Sequence, residues 1–558
     1  MKVAAAVAEI LKREGVEFLI GYPVNPIIEA AARADIRTII VRQERTGLHM
    51  ADAVGRMTSG RRIGVFAMQH GPGTENAFGG VAQAFAESVP LVVLPGGYPR
   101  HLTNVPPNFN AFLNYQHVTK SAEQVTMPGV VPDALRRAFT QAANGRPRPA
   151  LVEIPSDLFA EDVPEPLRYT PSPRLRTAPD PRDVDEAARL LVEAERPLLY
   201  AGQGVHYGRA WPQLRALAEL LEAPVTTTIE GKSAFPEDHP LALGCAGRSM
   251  PRPVHDFLHR ADVIFGIGCS FARTNFGAVI PSGPTIVHAT LDPGDVNKDV
   301  PADHALIGDA GLTLDALVAA VSDRLGGRPR GRGEAVAGEI AAGREAWLDE
   351  WRPRLTAGES PLSPYRVIWD LLHTVDAANT IVTHDAGSPR DQMVPFWVAR
   401  EPLTYIGWGK TTQLGYGLGL AMGAKLACPD KLCVNVWGDA AIGFTGMDFE
   451  TAVRERIPIL SVLLNNFSMA MELPVMQAAT EKFRSTDISG DYAAMARAFG
   501  GHGERVTEAS EIVPAIRRAV AKTEEGVPAL LEFITAQEIT FSTFRQPTVT
   551  TEPAGARR

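Results

Sequence analysis

Short apolar runs alternate along the chain with amphipathic stretches of helical period, which is the pattern of an α/β protein. The first 160 residues carry five short runs rich in β-branched and apolar residues, each bounded by turn residues. We predict that these runs form a parallel sheet with helices on both faces. The predicted strands are 18–20, 38–41, 63–67, 91–94 and 150–154.

Two further units repeat this alternation, so we predict three doubly wound parallel-sheet domains. A segment rich in Pro and charge, 160–182, reads as a linker after the first unit. The predicted strands of the second unit are 197–200, 225–227, 263–267 and 285–289, and those of the third are 380–383, 432–436, 459–464 and 529–533. The predicted domains are 1–165, 183–325 and 362–545, followed by a tail at 546–558.

A short internal repeat suggests that the first and third units are copies of one fold. The first unit ends in PALVEI at 149–154 and the third in PALLEF at 528–533. The two hexapeptides take the same place in two units of similar length. We therefore predict two related domains that flank a different middle domain.

Size, charge and hydropathy exclude several classes of protein. The 558 residues are too many for one core, while 45% hydrophobic and 21% charged residues are ordinary globular values. A net charge of −9 without a long basic run argues against nucleic-acid binding, and no run of 18 apolar residues predicts a membrane span. Charged residues interrupt the N-terminal apolar stretch, so we expect an amphipathic first helix and a cytoplasmic protein. The four cysteines lack zinc-like spacing and fit a reducing compartment.

Two polar residues follow neighbouring predicted strands in the third unit, within 434–468. Asp439 comes directly after one strand, and Asn466 directly after the next. Open α/β sheets bind ligands at the carboxyl ends of their strands. One carboxylate and one amide oxygen suit Mg²⁺, which keeps waters and takes phosphate oxygens from a cofactor. The stretch therefore predicts a metal-bridged diphosphate.

This stretch resembles the signature of the thiamine-diphosphate (ThDP) enzymes. The matching residues are Gly438, Asp439 and Ala440, then Asn466 about thirty residues later. The resemblance implies that Asp439, Asn466 and the backbone carbonyl of Ser468 bind Mg²⁺ and, through it, the diphosphate. Ala440 departs from the family, which usually has Gly there. An ordinary strand–turn–helix unit with an exposed Asp is the alternative for the short motif alone.

Polar, Gly- and Pro-rich segments also follow three predicted strands of the first unit. Glu44 begins a helix after one strand, where it could equally be an acid that stabilises the helix dipole. The run 21–23, which contains Pro23, follows another strand, and the run 71–76 follows a third. These segments converge on one crevice. They resemble the pyrimidine-binding domain of ThDP enzymes at Pro23, Glu44, Gly71, Pro72, Gly73 and Asn76.

The resemblance extends over nearly the whole chain and implies a role for each matching residue. ThDP supplies the reactive carbanion, and the protein supplies binding, orientation and electrostatics. In the family, the Glu carboxyl favours the imino tautomer of the pyrimidine, so Glu44 is the expected catalytic residue. Leu414 would support the bent cofactor or would only be a packed residue of the hydrophobic core. His70 would shuttle a proton or merely pack. Gly387 and Ser388 are expected diphosphate ligands.

Two enzyme classes remain open. The domain order and middle domain resemble the acetolactate synthase large subunit, which implies decarboxylation and carboligation of small 2-oxo acids. The segments 443–451 and 21–26 look closer to oxalyl-CoA decarboxylases and 2-hydroxyacyl-CoA lyases, which act on acyl-CoA substrates or release an aldehyde. The segment 268–277 replaces the Arg-rich flavin segment of acetolactate synthases, which argues against FAD. A cofactor-binding protein without turnover would be expected to lack Glu44. The family also implies a homodimer or homotetramer with active sites between subunits.

Overall fold

A computed structural model describes residues 1–544 and contains three six-stranded sheets in which all strand pairings are parallel. Central strands of such sheets are covered by helices on both faces, and their sequences are accordingly near-continuous apolar runs. The β4 strand, Leu91–Gly97, is buried over its whole length. The predicted α/β fold class is confirmed.

The first unit supplies the elements β1–β6 and α1–α6. Its strands are Phe18–Tyr22, Arg37–Ile40, Gly64–Gln69, Leu91–Gly97, Ser121–Gln124 and Pro149–Pro155. Its helices are Val3–Arg13, Asn25–Arg33, Glu44–Met57, Pro72–Ala86, Ala111–Tyr115 and Val131–Ala143. The sheet order is β2-β1-β3-β4-β6-β5. The predicted amphipathic first helix is α1, whose buried face includes Val3, Val7 and Leu11.

The second unit supplies β7–β12 and α7–α12. Its strands are Pro197–Ala201, Val225–Thr227, Ala242–Cys245, Val263–Ile267, Thr285–Thr290 and His304–Ile307. Its helices are Pro181–Glu193, Gly204–Gly208, Trp211–Leu221, Arg252–Arg260, Ala310–Arg324 and Gly333–Leu355. The order β12-β11-β10-β7-β8-β9 is that of the doubly wound dinucleotide-binding fold.

The third unit supplies β13–β18 and α13–α20. Its strands are Thr380–His384, Tyr405–Ile406, Leu432–Gly438, Leu460–Asn465, His502–Val506 and Ala529–Ile534. Its helices are Pro364–Thr374, Ser388–Phe396, Tyr416–Ala427, Asp439–Thr445, Phe449–Arg454, Gln477–Phe483, Tyr492–Ala498 and Ile512–Glu524. The order β14-β13-β15-β16-β18-β17 repeats the order of the first sheet strand for strand. The two repeat hexapeptides fall on β6 and β18, which hold equivalent positions, so the predicted duplication is confirmed.

The first and third units share one hydrophobic core. A single cluster of buried side chains includes Met50 and Phe66 of the first unit and Leu420 and Trp437 of the third. At its centre α3 packs against α15 so closely that a Cβ on Gly423 would lie 2.1 Å from the Met50 carbonyl oxygen. Glycines let the two helix backbones touch there, which locks the two domains together.

A segment without regular structure, 535–544, ties the third unit to the second. The Thr535 N–H donates to the Asn465 carbonyl at 2.9 Å, so the segment starts beside the carboxyl end of β16. Further on, Ser542 bonds the backbone of Met250, and the Trp347 indole N–H donates to the Ser542 hydroxyl at 2.9 Å. The predicted tail at 546–558 lies outside the described residues.

The structure bears on the expected absence of a membrane span and on the domain boundaries. Among residues 1–544 no helix is long and apolar enough to cross a membrane. The proposed domain boundaries stay predictions, although the three sheets fall inside them.

Candidate active site

Three residues predicted to bind the metal lie together in the third unit. Asp439 begins α16 directly after β15, and Asn466 directly follows the neighbouring strand β16. The N–H of Ser468 lies 3.0 Å from Asp439 Oδ2 and 3.0 Å from Asn466 Oδ1. One donor therefore holds both oxygens at the carboxyl edge of the sheet.

The turn after β16 is shaped by the residue beside Asn466. The Asn465 side chain accepts the Phe467 N–H at 3.0 Å and donates to the buried Glu532 carboxylate at 2.7 Å. Phe467 adopts a positive φ of 57°, which bends the chain back toward Asp439. Asn465 thus fixes the turn, while Asn466 presents its oxygen.

The Asp439 carboxyl is buried, with 3% of its surface exposed. Burial raises its pKa to about 6, although the N–H groups of Ser468 and Ala440 stabilise the ionised form. Ala440 lies inside α16, where its side chain is unstrained, so its departure from Gly needs no compensation. Within residues 1–544 no group of three or more His, Cys, Asp or Glu side chains could hold a metal, so phosphate oxygens would have to complete this donor set.

Leu414, Gly387 and Ser388 lie on two neighbouring turns of the same unit. The buried Asp385 carboxylate, which our sequence reasoning gave no role, accepts the N–H groups of Gly415 and Gly417, each at 2.9 Å. It thereby fixes the turn that carries Leu414. Gly387 has a positive φ of 83° and precedes α14, which begins at Ser388.

Glu44 and Asn76 form the centre of the first unit's half-site. Glu44 begins α3 and is buried, with 3% of its surface exposed. Its Oε2 accepts the Asn76 amide at 3.3 Å, and a Cβ on Gly73 would lie 3.5 Å from its Oε1. Burial raises the pKa of the Glu44 carboxyl, and the nearby Asp448 charge adds to the effect.

The remaining predicted residues of the first unit surround this centre. Gly71, with φ 61°, precedes α4, which begins at Pro72. The His70 ring lies 4.3 Å from the Tyr98 ring, centroid to centroid, and is half-buried. Pro23 follows β1, the neighbour of β3 in the sheet, so it lies at the same edge as His70.

Asp448, which was not predicted, brings the third unit against the chain just before Glu44. Asp448 of the third unit accepts the Arg42 N–H at 2.7 Å, just before Glu44 in the chain. In the described part of the chain no hydrogen bond or ion pair joins Glu44 to Asp439, Asn466 or Leu414. Both half-sites are formed and their units touch, but within one chain the predicted site residues of the two are not bonded to each other.

A separate cavity of about 590 Å³ opens in the second unit. Residues of the first and third units and of the linker also line it, and its cationic side chains are Arg61, Arg146, Arg174, Arg176, Arg209, Arg273 and Lys410. It includes part of the segment 268–277 on which we based the argument against FAD. That argument stays a prediction.

Asp385 and Asp448, which were not predicted, differ in whether the sequence contains a pattern that could have identified them. Asp385 directly follows β13, as Asp439 directly follows β15, so the same rule would have found it. Asp448 lies inside a helical stretch and binds another domain, and nothing local marks such a contact.

Comparison with known protein families matches all three units. The model for the thiamine pyrophosphate enzyme N-terminal TPP binding domain matches residues 1–127, that for the central domain matches 184–317, and that for the C-terminal TPP binding domain matches 385–533. These matches cover most of the chain and agree with the two half-sites.

Several curated relatives align along almost the full length. A probable acetolactate synthase large subunit of Methanocaldococcus jannaschii is 30% identical over 96% of this chain and 92% of its own. The acetolactate synthase large subunit of Parasynechococcus marenigrum is 32% identical over 90% and 83%. The isozyme 3 large subunit of Escherichia coli is 28% identical over 94% and 93%. The chain belongs to the thiamine-diphosphate-dependent enzymes and is similar to acetolactate synthase large subunits.

Proposed function

We propose that the chain uses ThDP and Mg²⁺ to decarboxylate a small 2-oxo acid and to join the remaining fragment to a second carbonyl compound. The observation that carries this proposal is the convergence of Asp439, Asn466 and Ser468 at one sheet edge. The similarity to acetolactate synthases along the full chain supports the reaction type.

The residues present fit a magnesium-bound diphosphate. Asp439, Asn466 and the Ser468 carbonyl would hold the ion, and Gly387, Ser388, Gly438 and Ala440 would contact the phosphates. The Asp439 charge would offset part of the phosphate charge in a buried place. When bound, ThDP supplies a nucleophilic carbon that protein side chains lack.

Glu44 is proposed to hold a proton against the pyrimidine ring. This role needs a poorly solvated carboxyl with raised proton affinity, and Glu44 has both properties. Asn76 orients the carboxyl through its amide. Pro23 and the run Gly71, Pro72, Gly73 would line the ring, and His70 is a candidate proton donor or acceptor toward the substrate.

We further propose that each active site forms between two copies of the chain. Among residues 1–544 no hydrogen bond or ion pair joins Glu44 to Asp439, Asn466 or Leu414, and large apolar side chains near both half-sites are exposed. Phe444 and Met447 follow Asp439 with 47% and 55% of their surface exposed, and Tyr22 and Phe467 are 39% exposed. Exposed apolar side chains beside a site are typical of an interface. A homodimer or homotetramer would supply the missing halves.

A substrate panel tests the reaction class. Purified protein with ThDP and Mg²⁺ is given pyruvate, 2-oxobutyrate, benzoylformate, oxalyl-CoA or a 2-hydroxyacyl-CoA, and carbon dioxide, aldehyde and ligation products are measured. We expect pyruvate alone to release carbon dioxide and give a two-carbon transfer product.

The controls separate the proposal from its main alternative. The Glu44→Gln variant should lose the product, which excludes a contaminating enzyme. Cleavage of oxalyl-CoA or a 2-hydroxyacyl-CoA together with failure on every 2-oxo acid would assign the chain to the lyases instead.

A further inference from the structure

A segment without helix or strand, 409–414, connects the cavity of the second unit with Leu414; we call it the support segment. Gly409 and Lys410 line the cavity at one end. Leu414 at the other end adjoins the turn held by Asp385. Because the segment has no regular structure, its backbone must be held by other groups.

One carboxylate of the first unit holds the start of the support segment. Oε1 of Glu87 accepts the N–H groups of Gly409, Lys410 and Thr411 at 3.2, 2.8 and 3.4 Å. Glu87 lies at the end of α4 and is fully buried. Its Oε2 has no partner among residues 1–544.

Gln83, one helical turn earlier on α4, holds the rest of the segment. Its amide oxygen accepts the Thr411 hydroxyl and, at 3.4 Å, the Gln413 N–H. Its amide nitrogen donates to the Thr411 carbonyl at 3.4 Å and to Glu87 Oε1 at 3.3 Å. Two side chains of the first unit therefore bind the N–H groups of four of the five residues that precede Leu414.

We propose that Glu87 is a positioning residue, which fixes the support segment and thereby the place of Leu414. The geometry of the contact requires no ligand, whereas the consequence for catalysis rests on the proposed role of Leu414 beneath ThDP. Removing the acceptor would leave the buried Gly409 N–H and the partly buried N–H groups of Lys410 and Thr411 without this partner, and the segment would open to hydrate them.

The charges around Glu87 determine how pH acts on this contact. Burial and the nearby Glu230 raise the pKa of Glu87 to about 7, while Lys410 and Arg56 oppose the shift. Tyr207 and Tyr416 also face it. Opening would expose the carboxyl to water and return its pKa toward about 4.3. Protonation therefore favours the closed segment, and closure weakens as pH rises from about 4.3 to about 7 and changes little above that.

Hydrogen exchange of the cofactor-free protein tests the contact directly. Peptides covering 409–413 are followed by mass spectrometry in wild type and in the Glu87→Ala, Gln83→Ala and Glu87→Gln variants, between pH 5 and 7, after correction for intrinsic exchange. Glu153→Gln is the matched control, because Glu153 is also a buried acid of the first unit that accepts a backbone N–H, from Phe112, but does not contact the segment.

We expect exchange in 409–413 to be about tenfold faster in Glu87→Ala, and faster for 411–413 in Gln83→Ala, because buried donors or acceptors lose partners. Glu87→Gln keeps a neutral acceptor, so its exchange should be closest to wild type at pH 5 and, unlike wild type, should not increase toward pH 7. Unchanged exchange in both alanine variants would overturn the proposal.

A second measurement separates the contact from its catalytic consequence. Turnover and ThDP affinity are compared in Glu87→Ala and Glu87→Gln under the conditions that support wild-type activity. We expect Glu87→Ala to lose turnover more than cofactor affinity and Glu87→Gln to restore it. Faster exchange in Glu87→Ala without loss of turnover would support the contact but contradict the proposed role of Leu414. Full turnover with unchanged exchange would contradict both the contact and that role.

Discussion

The Asp439 carboxyl is buried and accepts backbone N–H groups. Its negative charge is fully compensated only when a cation is bound beside it. We expect Asp439→Ala to weaken ThDP binding at least about tenfold, because a buried diphosphate loses its counter-charge. Titration calorimetry with Mg²⁺ measures this affinity. Asp430→Ala, an exposed acid of the same unit, is the control and should bind as wild type. Unchanged affinity in Asp439→Ala would contradict the metal assignment.

The same carboxyl predicts a pH dependence of cofactor binding. Its pKa is raised to about 6, and Mg²⁺ binds only the ionised form. Affinity for ThDP with Mg²⁺ should therefore fall as pH drops through 6, by about tenfold per pH unit well below it. Calorimetry between pH 5 and 8 tests this, and Asp439→Ala should show a flatter profile.

Leu414 provides a test of cofactor shape. Leu414→Ala leaves a cavity that costs a few kcal/mol of packing at most, about 2–4 kcal/mol. We expect turnover to fall more than ThDP affinity, because the cofactor binds through its diphosphate but loses support beneath its bend. Leu432→Ala, which truncates another half-buried leucine of the unit, should keep the ratio of the two quantities. Full turnover in Leu414→Ala would show that Leu414 only packs in the hydrophobic core and does not support the cofactor.

The position of a site residue could be predicted where its place in the sequence, directly after a strand, is enough to locate it in the fold. Asp439 and Asn466 each follow a strand, and parallel strands end at one edge, so their convergence could be inferred. Glu87 and Asp448 act on another domain, hundreds of residues away in the chain. Their roles depend on how domains pack, which no local pattern of residues records.

Among the elements, edge strands account for the strands that the sequence did not predict. β5, β9, β12, β14 and β17 each lie at or beside an open edge of a sheet. They are short or half-exposed, as in β5, where all four residues are partly exposed. A strand with one paired side needs no continuous apolar run, so the signal on which prediction depends is missing.

The contact between α3 and α15 depends on glycine. Gly423→Ala would place a methyl group 2.1 Å from the Met50 carbonyl oxygen, so the helices must separate. We expect destabilisation of about 2–4 kcal/mol despite the better helix propensity of alanine. Gly338→Ala in α12 meets nothing within 4 Å and should stabilise by about 0.5–1 kcal/mol. Urea unfolding followed by circular dichroism measures both, and equal effects would contradict the close approach.

At the scale of the whole molecule, the duplication was predictable because the repeated hexapeptides mark equivalent strands. The two glutamates of the repeat, Glu153 and Glu532, are both buried and both accept backbone N–H groups. How the repeated units combine was not predictable, because packing between domains uses glycines and scattered polar contacts rather than periodic patterns.

The proposed interface site makes a prediction about mixed subunits. Glu44→Gln and Asp439→Ala homodimers should each be nearly inactive. If the two variants are unfolded and refolded together, about half the dimers are mixed, and each mixed dimer has one site without a lesion. Roughly a quarter of wild-type activity should therefore return. Refolded wild type is the control, and a silent mixture would show that sites form within single chains.

The packing of α3 against α15 also has a consequence for the making of the protein. About 360 residues separate Met57, the end of α3, from Tyr416, the start of α15. At about 5–20 residues per second, a ribosome needs roughly 20–70 s to produce the partner helix. During that time the side of α3 that faces α15, with His49 and Met50, has no cover from α15. The nascent first domain is then a natural client for chaperones, and slow codons between the domains would lengthen its exposure.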